Sequence, residues 1–171
     1  MQSDLHKELS TRAIAWVRSR ATIKGVRGLA EVQVSDSYIA DAVVLANLQY
    51  RFKKQYKIPV TRKDYLIKVK PFDTRNLTLA LIFETKVSRS DFLNTFKENG
   101  NNHDNRLNPV GNLHLIITPP GLVSPDEVPR PWGLLEQSGN GLREIAVPVY
   151  CEISDIQLYR IAASMLWRDK Q

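Results

Sequence analysis

The sequence predicts a mixed α/β domain, with helices packed on a small central sheet. Three observations predict it. Residues 79–87 (LALIFETKV) and 38–46 (YIADAVVLA) are apolar runs of strand length, as expected for buried strands. Residues 4–19 and the stretch after Ser154 place their apolar side chains at helical spacing instead. Helix and strand patterns alternate along the chain, which is the order of a sheet covered by helices.

Leu5, Leu9, Ala13, Trp16 and Val17 share one face of the first helix, over residues 4–19, and Ser3 or Asp4 can cap it. Glu8 and Arg12 stand four apart at the edge of that face, the spacing of an ion pair. Gly25 and Gly28 break the pattern. Leu29 to Val34 then alternates as a strand, with Glu31 and Gln33 opposite Ala30, Val32 and Val34. A polar turn, Ser35-Asp36-Ser37, leads into the run 38–46, whose only charge is Asp41. Residues 47–76 read as an excursion, with an extended hairpin or ribbon in the alternation of 63–70, interrupted by Pro59 and Pro71. After the Glu84 strand, Ser88 caps a short helix over about 89–97, with Asp91 as its capping-box partner. Residues 99–108 (NGNNHDNRLN) read as a polar loop. Leu113 to Thr118 is a further strand in which His114 is read as structural, and Pro119-Pro120-Gly121 ends it. Residues 132–137 and 142–149 form a hairpin around Ser138-Gly139-Asn140-Gly141. The last helix starts at Ser154 with Gln157 as capping-box partner, and Leu158, Ile161, Ala162, Met165 and Leu166 make its core face. The three tryptophans read as core or edge packing.

At 171 residues, with no repeat, low-complexity tract or linker, residues 1–171 read as a single domain. A hydrophobic content of 43% fits a folded chain rather than a disordered one. No apolar run approaches the ~20 residues that span a membrane, and no secretory signal pattern opens the sequence, so the expected location is the cytoplasm. The lone cysteine, Cys151, excludes an internal disulfide framework and a cysteine-rich zinc site; it reads as a buried small hydrophobe.

The net charge of +6 is concentrated. Residues 47–76 carry nine lysines and arginines against Asp64 and Asp73, a net of +7, while the rest of the chain is nearly neutral. Five of the fourteen aromatics, Tyr50, Phe52, Tyr56, Tyr65 and Phe72, lie in the same segment. Basic residues release counterions from a polyanion, and interleaved rings can stack on bases. Arg51, Lys53, Lys54, Lys57, Arg62 and Lys63 are therefore the expected nucleic-acid contacts, against the plainer reading of a solvated basic face. His103 and Arg106 are weaker candidates for a phosphate contact, since turn residues are commonly just solvated.

The chemistry centres on two strands. An unpaired charge in an apolar core costs several kcal/mol, yet the 79–87 run holds Glu84 and Lys86. Alternation puts both on one face, about 6–7 Å apart along the backbone. The plain reading is an ion pair at a strand end. The functional reading is half of a metal-dependent nuclease site. Asp41 is stranded in the same way, either as a hydrogen-bonded core aspartate or as the missing acid. If the two strands are neighbours, Asp41, Glu84 and the Thr85 backbone carbonyl make a hard oxygen site that suits Mg²⁺, with Mn²⁺ as a substitute. Such an ion activates water and neutralises charge on a phosphate. Lys86 would orient that water or steady the transition state.

These residues carry a resemblance. Asp41, Glu84 and Lys86, on strands that follow an N-terminal helix, resemble the PD-(D/E)XK nuclease signature. More closely, Glu31 followed by Ala40-Asp41-Ala42-Val43-Val44-Leu45, then Phe83 to Phe92, Leu115 to Gly121, Val128-Pro129 and Trp132 to Leu135, are similar to the MmcB-like DNA-repair proteins of that superfamily. The likeness covers about residues 5–46 and 79–165 and is most specific over Glu84 to Phe92. It implies a restriction-endonuclease-like core and Mg²⁺-dependent DNA processing. Asp41 and Glu84 would be the metal ligands, Lys86 the catalytic lysine, Glu31 an extra acid and Glu8 a helix-borne acid. The sequence departs from the pattern in three places. Residue 40 is Ala rather than Pro, residues 47–76 are an insertion after the second strand, and an Asn-rich loop follows Lys97.

Three functions compete: a Mg²⁺-dependent DNA nuclease in repair or processing, a catalytically inactive DNA-binding accessory module of the same fold, and an RNA-directed nuclease. Oligomeric state and base preference are not encoded in any motif.

Overall fold

The computed structural model describes residues 3–21, 26–35, 38–59, 78–96 and 109–168. Helix α1 (Asp4–Arg18) precedes strands β1 (Arg27–Ser35) and β2 (Tyr38–Ala46), a short helix α2 (Tyr50–Gln55) and strand β3 (Leu79–Thr85). Helix α3 (Arg89–Thr95), strands β4 (Leu113–Thr118), β5 (Gly133–Ser138) and β6 (Gly141–Ala146), and helix α4 (Asp155–Arg168) complete the order. The six strands form one mixed sheet in the order β1-β2-β3-β4-β5-β6. β1, β2 and β3 run antiparallel, β4 is parallel to β3, β5 is parallel to β4, and β6 returns antiparallel. This is an α/β fold with a mixed central sheet flanked by helices.

β3 and β4 are buried along their whole length, which explains why their sequences do not alternate. One sheet face carries Ala42, Val44, Leu81, Phe83, Leu115 and Ile117 and packs under α1 through Leu9, Ala13, Trp16 and Val17. Trp16 meets the Phe83 ring edge-on, with centroids 6.3 Å apart. On the other face, Ile161 and Met165 of α4 pack on Val32, Tyr38, Val43, Ala80 and Ile82. Phe92 of α3 joins Trp132, Ile116 and Leu134 in a third cluster. Gly139, at φ +55°, supplies the left-handed residue of the β5–β6 turn.

Capping follows the sequence in part. Ser3 caps α1, its Oγ accepting the His6 N–H at 3.2 Å. Ser88 accepts from the Asp91 N–H and Ser154 from the Gln157 N–H. The Gln157 side chain does not complete a capping box, however. Its amide donates to the Val34 carbonyl at 2.8 Å and the Val110 carbonyl at 3.3 Å, tying α4 to β1.

Other expectations are corrected. Leu166 is exposed rather than in the core, because α4 rests on the sheet mainly through Ile161 and Met165. Glu31 adopts φ +51°, which interrupts the alternation of β1 and leaves Ala30 exposed. The described start of the 47–76 segment is helical, with Tyr56 buried in the α1-side core. Cys151 follows β6 outside any strand and is only half-buried. The 63–70 ribbon and the 99–108 loop lie outside the described residues.

Candidate functional site

Ala42 of β2 pairs with Phe83 of β3. The next residues outward on the two strands are Asp41 and Glu84, and residues opposite one another in a sheet project to the same face. The antiparallel register thus brings the two acids together at one end of the sheet, although they stand 43 positions apart in the chain. Thr85 N–H, where β3 ends, donates to Asp41 Oδ2 at 2.7 Å. Lys86 lies one residue beyond the strand, and its N–H donates to the Ile117 carbonyl at 2.9 Å. That bond prolongs the parallel β3–β4 pairing and fixes where the lysine side chain starts. Lys86 Nζ donates to Glu84 Oε2 at 3.2 Å and lies 3.8 Å from Asp91 Oδ1 at the start of α3.

Three further side chains complete the cluster. The Tyr38 hydroxyl, on the first residue of β2, donates to Glu84 Oε1 at 2.6 Å. His6 Nε2, from the first turn of α1, lies 3.1 Å from Asp41 Oδ2. Ser10, one turn later, donates to the His6 carbonyl and shares a 3.0 Å hydrogen bond with Thr85 Oγ1. Helix α1 therefore braces both Asp41 and the end of β3.

Glu84, Thr85 and Lys86 are all buried. Burial first, and then the Asp41 charge, push the Glu84 carboxyl up to about 7; the Lys86 ammonium and the Tyr38 hydroxyl pull it down without prevailing. Burial alone would lower the Lys86 value, but Glu84, Asp91 and Asp41 outweigh it and hold the amine above the ordinary lysine range. Lys86 is thus an ammonium at neutral pH, a donor and a positive charge rather than a base. Burial, followed by Glu84, holds the Tyr38 phenol well above its ordinary value. Two mutually repelling carboxyls in a poorly solvated place are the setting in which a bound cation replaces a proton.

The donor set is lean. Among the described residues, no group of three or more His, Cys, Asp or Glu side chains is arranged to hold a metal ion. Asp41 and Glu84 are the carboxylates at hand, and two oxygen donors would leave an ion such as Mg²⁺ most of its waters. Both Glu84 oxygens and Asp41 Oδ2 also receive protein donors.

Of the remaining sequence candidates, Glu31 lies beside the cluster and the others are dispersed. Glu8 is an exposed partner of Arg12 on α1, and Arg12 also donates to the Gly139 carbonyl. Glu31 is exposed on β1; continuing the register of Ala30 with Ala42 and Val32 with Ala40 sets it opposite Asp41. Arg51, Lys54 and Lys57 are exposed, whereas Lys53 is 5% exposed. Arg62, Lys63, His103 and Arg106 lie outside the described residues. His114 is fully buried, with its ring 5.1 Å from that of Trp132, as a structural residue would be. Sequence reasoning missed His6 and Tyr38. His6 lies one helical turn before Ser10 and three residues before Leu9, on the buried stripe of α1, and that spacing was its only signal. Tyr38 gave no sign of a role beyond the core.

The fold class is therefore a mixed six-stranded sheet between helices, with the partly buried Asp41 beside the buried Glu84 and Lys86 at one end. No protein-family model matches the chain, and no curated protein does. One solved structure is similar in fold: the SPO1766 protein of unknown function from Silicibacter pomeroyi. Its TM-score is 0.60 at 10% identity, and the match covers 99% of this chain and 88% of that one. A likeness at that identity extends to the fold alone.

Proposed function

We propose that the chain is a Mg²⁺-dependent DNA nuclease with a restriction-endonuclease-like core, related to the MmcB-like members of the PD-(D/E)XK superfamily. The observation that carries this reading is the meeting of Asp41 and Glu84 on adjacent strands, with the Lys86 ammonium 3.2 Å from Glu84. Asp41, Glu84 and the Thr85 carbonyl would hold the ion. When bound, Mg²⁺ or Mn²⁺ supplies an activated water and neutralises charge developing on the scissile phosphate. The protein's own part is positional. His6 and the Thr85 N–H fix the Asp41 carboxylate. Tyr38 holds the Glu84 carboxylate from one side and Lys86 from the other. Lys86, protonated, offers donors to a phosphate oxygen where negative charge grows. The exposed Arg51, Lys54 and Lys57 would supply attraction for the backbone of DNA.

The test is nicking of supercoiled plasmid in Mg²⁺ and Mn²⁺. Cleavage that disappears in Asp41→Asn, Glu84→Gln and Lys86→Ala supports the reading. Cleavage that persists in all three removes it. One observation favours the second reading, an accessory module that binds DNA without cutting it: the carboxylates already have protein donors on three oxygens. Salt-sensitive DNA binding with no cleavage in either metal would select that reading. Preferential cleavage of RNA in a competition assay would instead select the RNA-directed nuclease.

A further inference from the structure

A groove of about 1100 Å³ runs beside Asp41, between the β1–β2 end of the sheet and α4. Its floor includes Glu31, Gln33 and Asp41, and its wall is Tyr159, Arg160 and Trp167 of α4. The two rings are 73% and 74% exposed, although α4 buries its opposite face on the sheet. A helix that leaves its largest aromatic side chains in water along a groove is offering them to a ligand. The rings stand eight positions apart, about 12 Å along the helix axis, so each meets a different part of whatever lies there. Arg160 places a cation between them in sequence.

We infer that this groove is the path of a single strand of DNA, with Tyr159 and Trp167 stacking on unpaired bases and Arg160 pairing with the backbone. Flat rings beside a cation are the sequence-tolerant recipe for single strands, because every base has a π-face. In a duplex those faces are covered by neighbouring base pairs, so exposed rings gain nothing from it. The groove opens onto Asp41, so a strand held by α4 passes the acid cluster. The inference extends the nuclease reading by naming its substrate form, and it rests on that reading only for what happens to the strand once bound.

The test uses the full chain in EDTA at low salt, with fluorescein-labelled oligo(dT) read by anisotropy. Trp16 and Trp132 are buried, at 5% and 3% exposure, so quenching of the exposed Trp167 by the oligonucleotide is a second readout. Oligo(dT) is expected to bind more tightly than a duplex of equal length and to quench tryptophan emission. Trp167→Ala and Tyr159→Ala should each weaken binding about tenfold, and Arg160→Gln should flatten its salt dependence. Ile156→Ala, exposed on α4 but outside the groove, should bind as wild type. Equal affinity in wild type and the Tyr159/Trp167 double variant overturns the inference. So does self-association in sedimentation velocity that both Ile156→Ala and Trp167→Ala abolish, with no oligo(dT) bound, since the face then joins two copies of the chain. Binding that needs the rings, without cleavage in Mg²⁺ or Mn²⁺, upholds the groove and removes the nuclease reading. Mg²⁺-dependent cleavage of a single-stranded oligonucleotide undiminished in the double variant does the reverse.

Discussion

Replacing Glu84 with Gln should change how stability depends on pH, in an amount that follows from the site. The Glu84 carboxyl moves from an ordinary value of 4.5 to about 7 on folding, chiefly through burial and then through Asp41. Its folded value is raised, so it favours the fold fully below the unfolded value and loses that contribution as pH rises through the folded one. A shift of this size corresponds to about 3 kcal/mol in full, of which about 2.5 kcal/mol is lost between pH 5 and pH 8. Glutamine has no proton to lose. The variant also deprives Lys86 of its nearest anion, which sets a constant offset over this range but no slope. Urea unfolding of both proteins at several pH values from 5 to 8 is the assay. The difference in unfolding free energy, variant minus wild type, should rise by about 2.5 kcal/mol over that range. Parallel profiles would mean that Glu84 ionises in the folded chain as it does in water, and the argument from its burial beside Asp41 would fall. Saturating Mg²⁺ at pH 8 should raise the melting temperature of wild type and leave Glu84→Gln unmoved.

Other outcomes follow from single side chains. Lys86→Ala should lower plasmid nicking by about 10²–10³-fold with little change in substrate affinity, because the ammonium acts on charge that grows in the transition state; steady-state kinetics separate the two effects. His114 works against Glu84 in its pH dependence: burial lowers it from 6.5 to about 4, so its contribution is present above pH 6.5 and lost as pH falls through 4. His114→Leu should therefore flatten the acid limb of the stability profile, by about 3 kcal/mol over its full span. Phe83→Ala should cost about 3–5 kcal/mol, since the ring is fully buried against Trp16 under α1; chemical denaturation reads it directly. Gly133→Ala should cost about 1–3 kcal/mol, because a Cβ there comes within 2.7 Å of the Ala146 carbonyl oxygen and of Pro148.

The fold was legible wherever periodicity carried it. The apolar runs around Asp41 and Glu84 are the central strands, and α1 buries the stripe its spacing marked. The meeting of Asp41 with Glu84 could be posed from sequence only as a condition, because strand adjacency is a long-range property. The register of Ala42 with Phe83 meets that condition. Leu166 reads as core from its spacing, but α4 carries apolar residues on two faces, and composition does not say which one the sheet takes. Glu31 broke the β1 alternation through a backbone conformation that its side-chain type does not announce. Gln157 had capping-box spacing, yet carbonyls from β1 and the β4 approach compete for the same amide and win. His6 and Tyr38 were invisible as site residues because each looks like core until its partner, supplied by another strand, is in place.

The central claim is that Asp41 and Glu84 jointly hold a divalent cation. Anomalous scattering from a crystal soaked in Mn²⁺ tests it most directly. A manganese peak shared by the two carboxylates is expected, at oxygen distances of about 2.1 Å as for Mg²⁺. A crystal saturated with Mn²⁺ that shows no peak there, with His6 still on Asp41 and Lys86 still on Glu84, would contradict it.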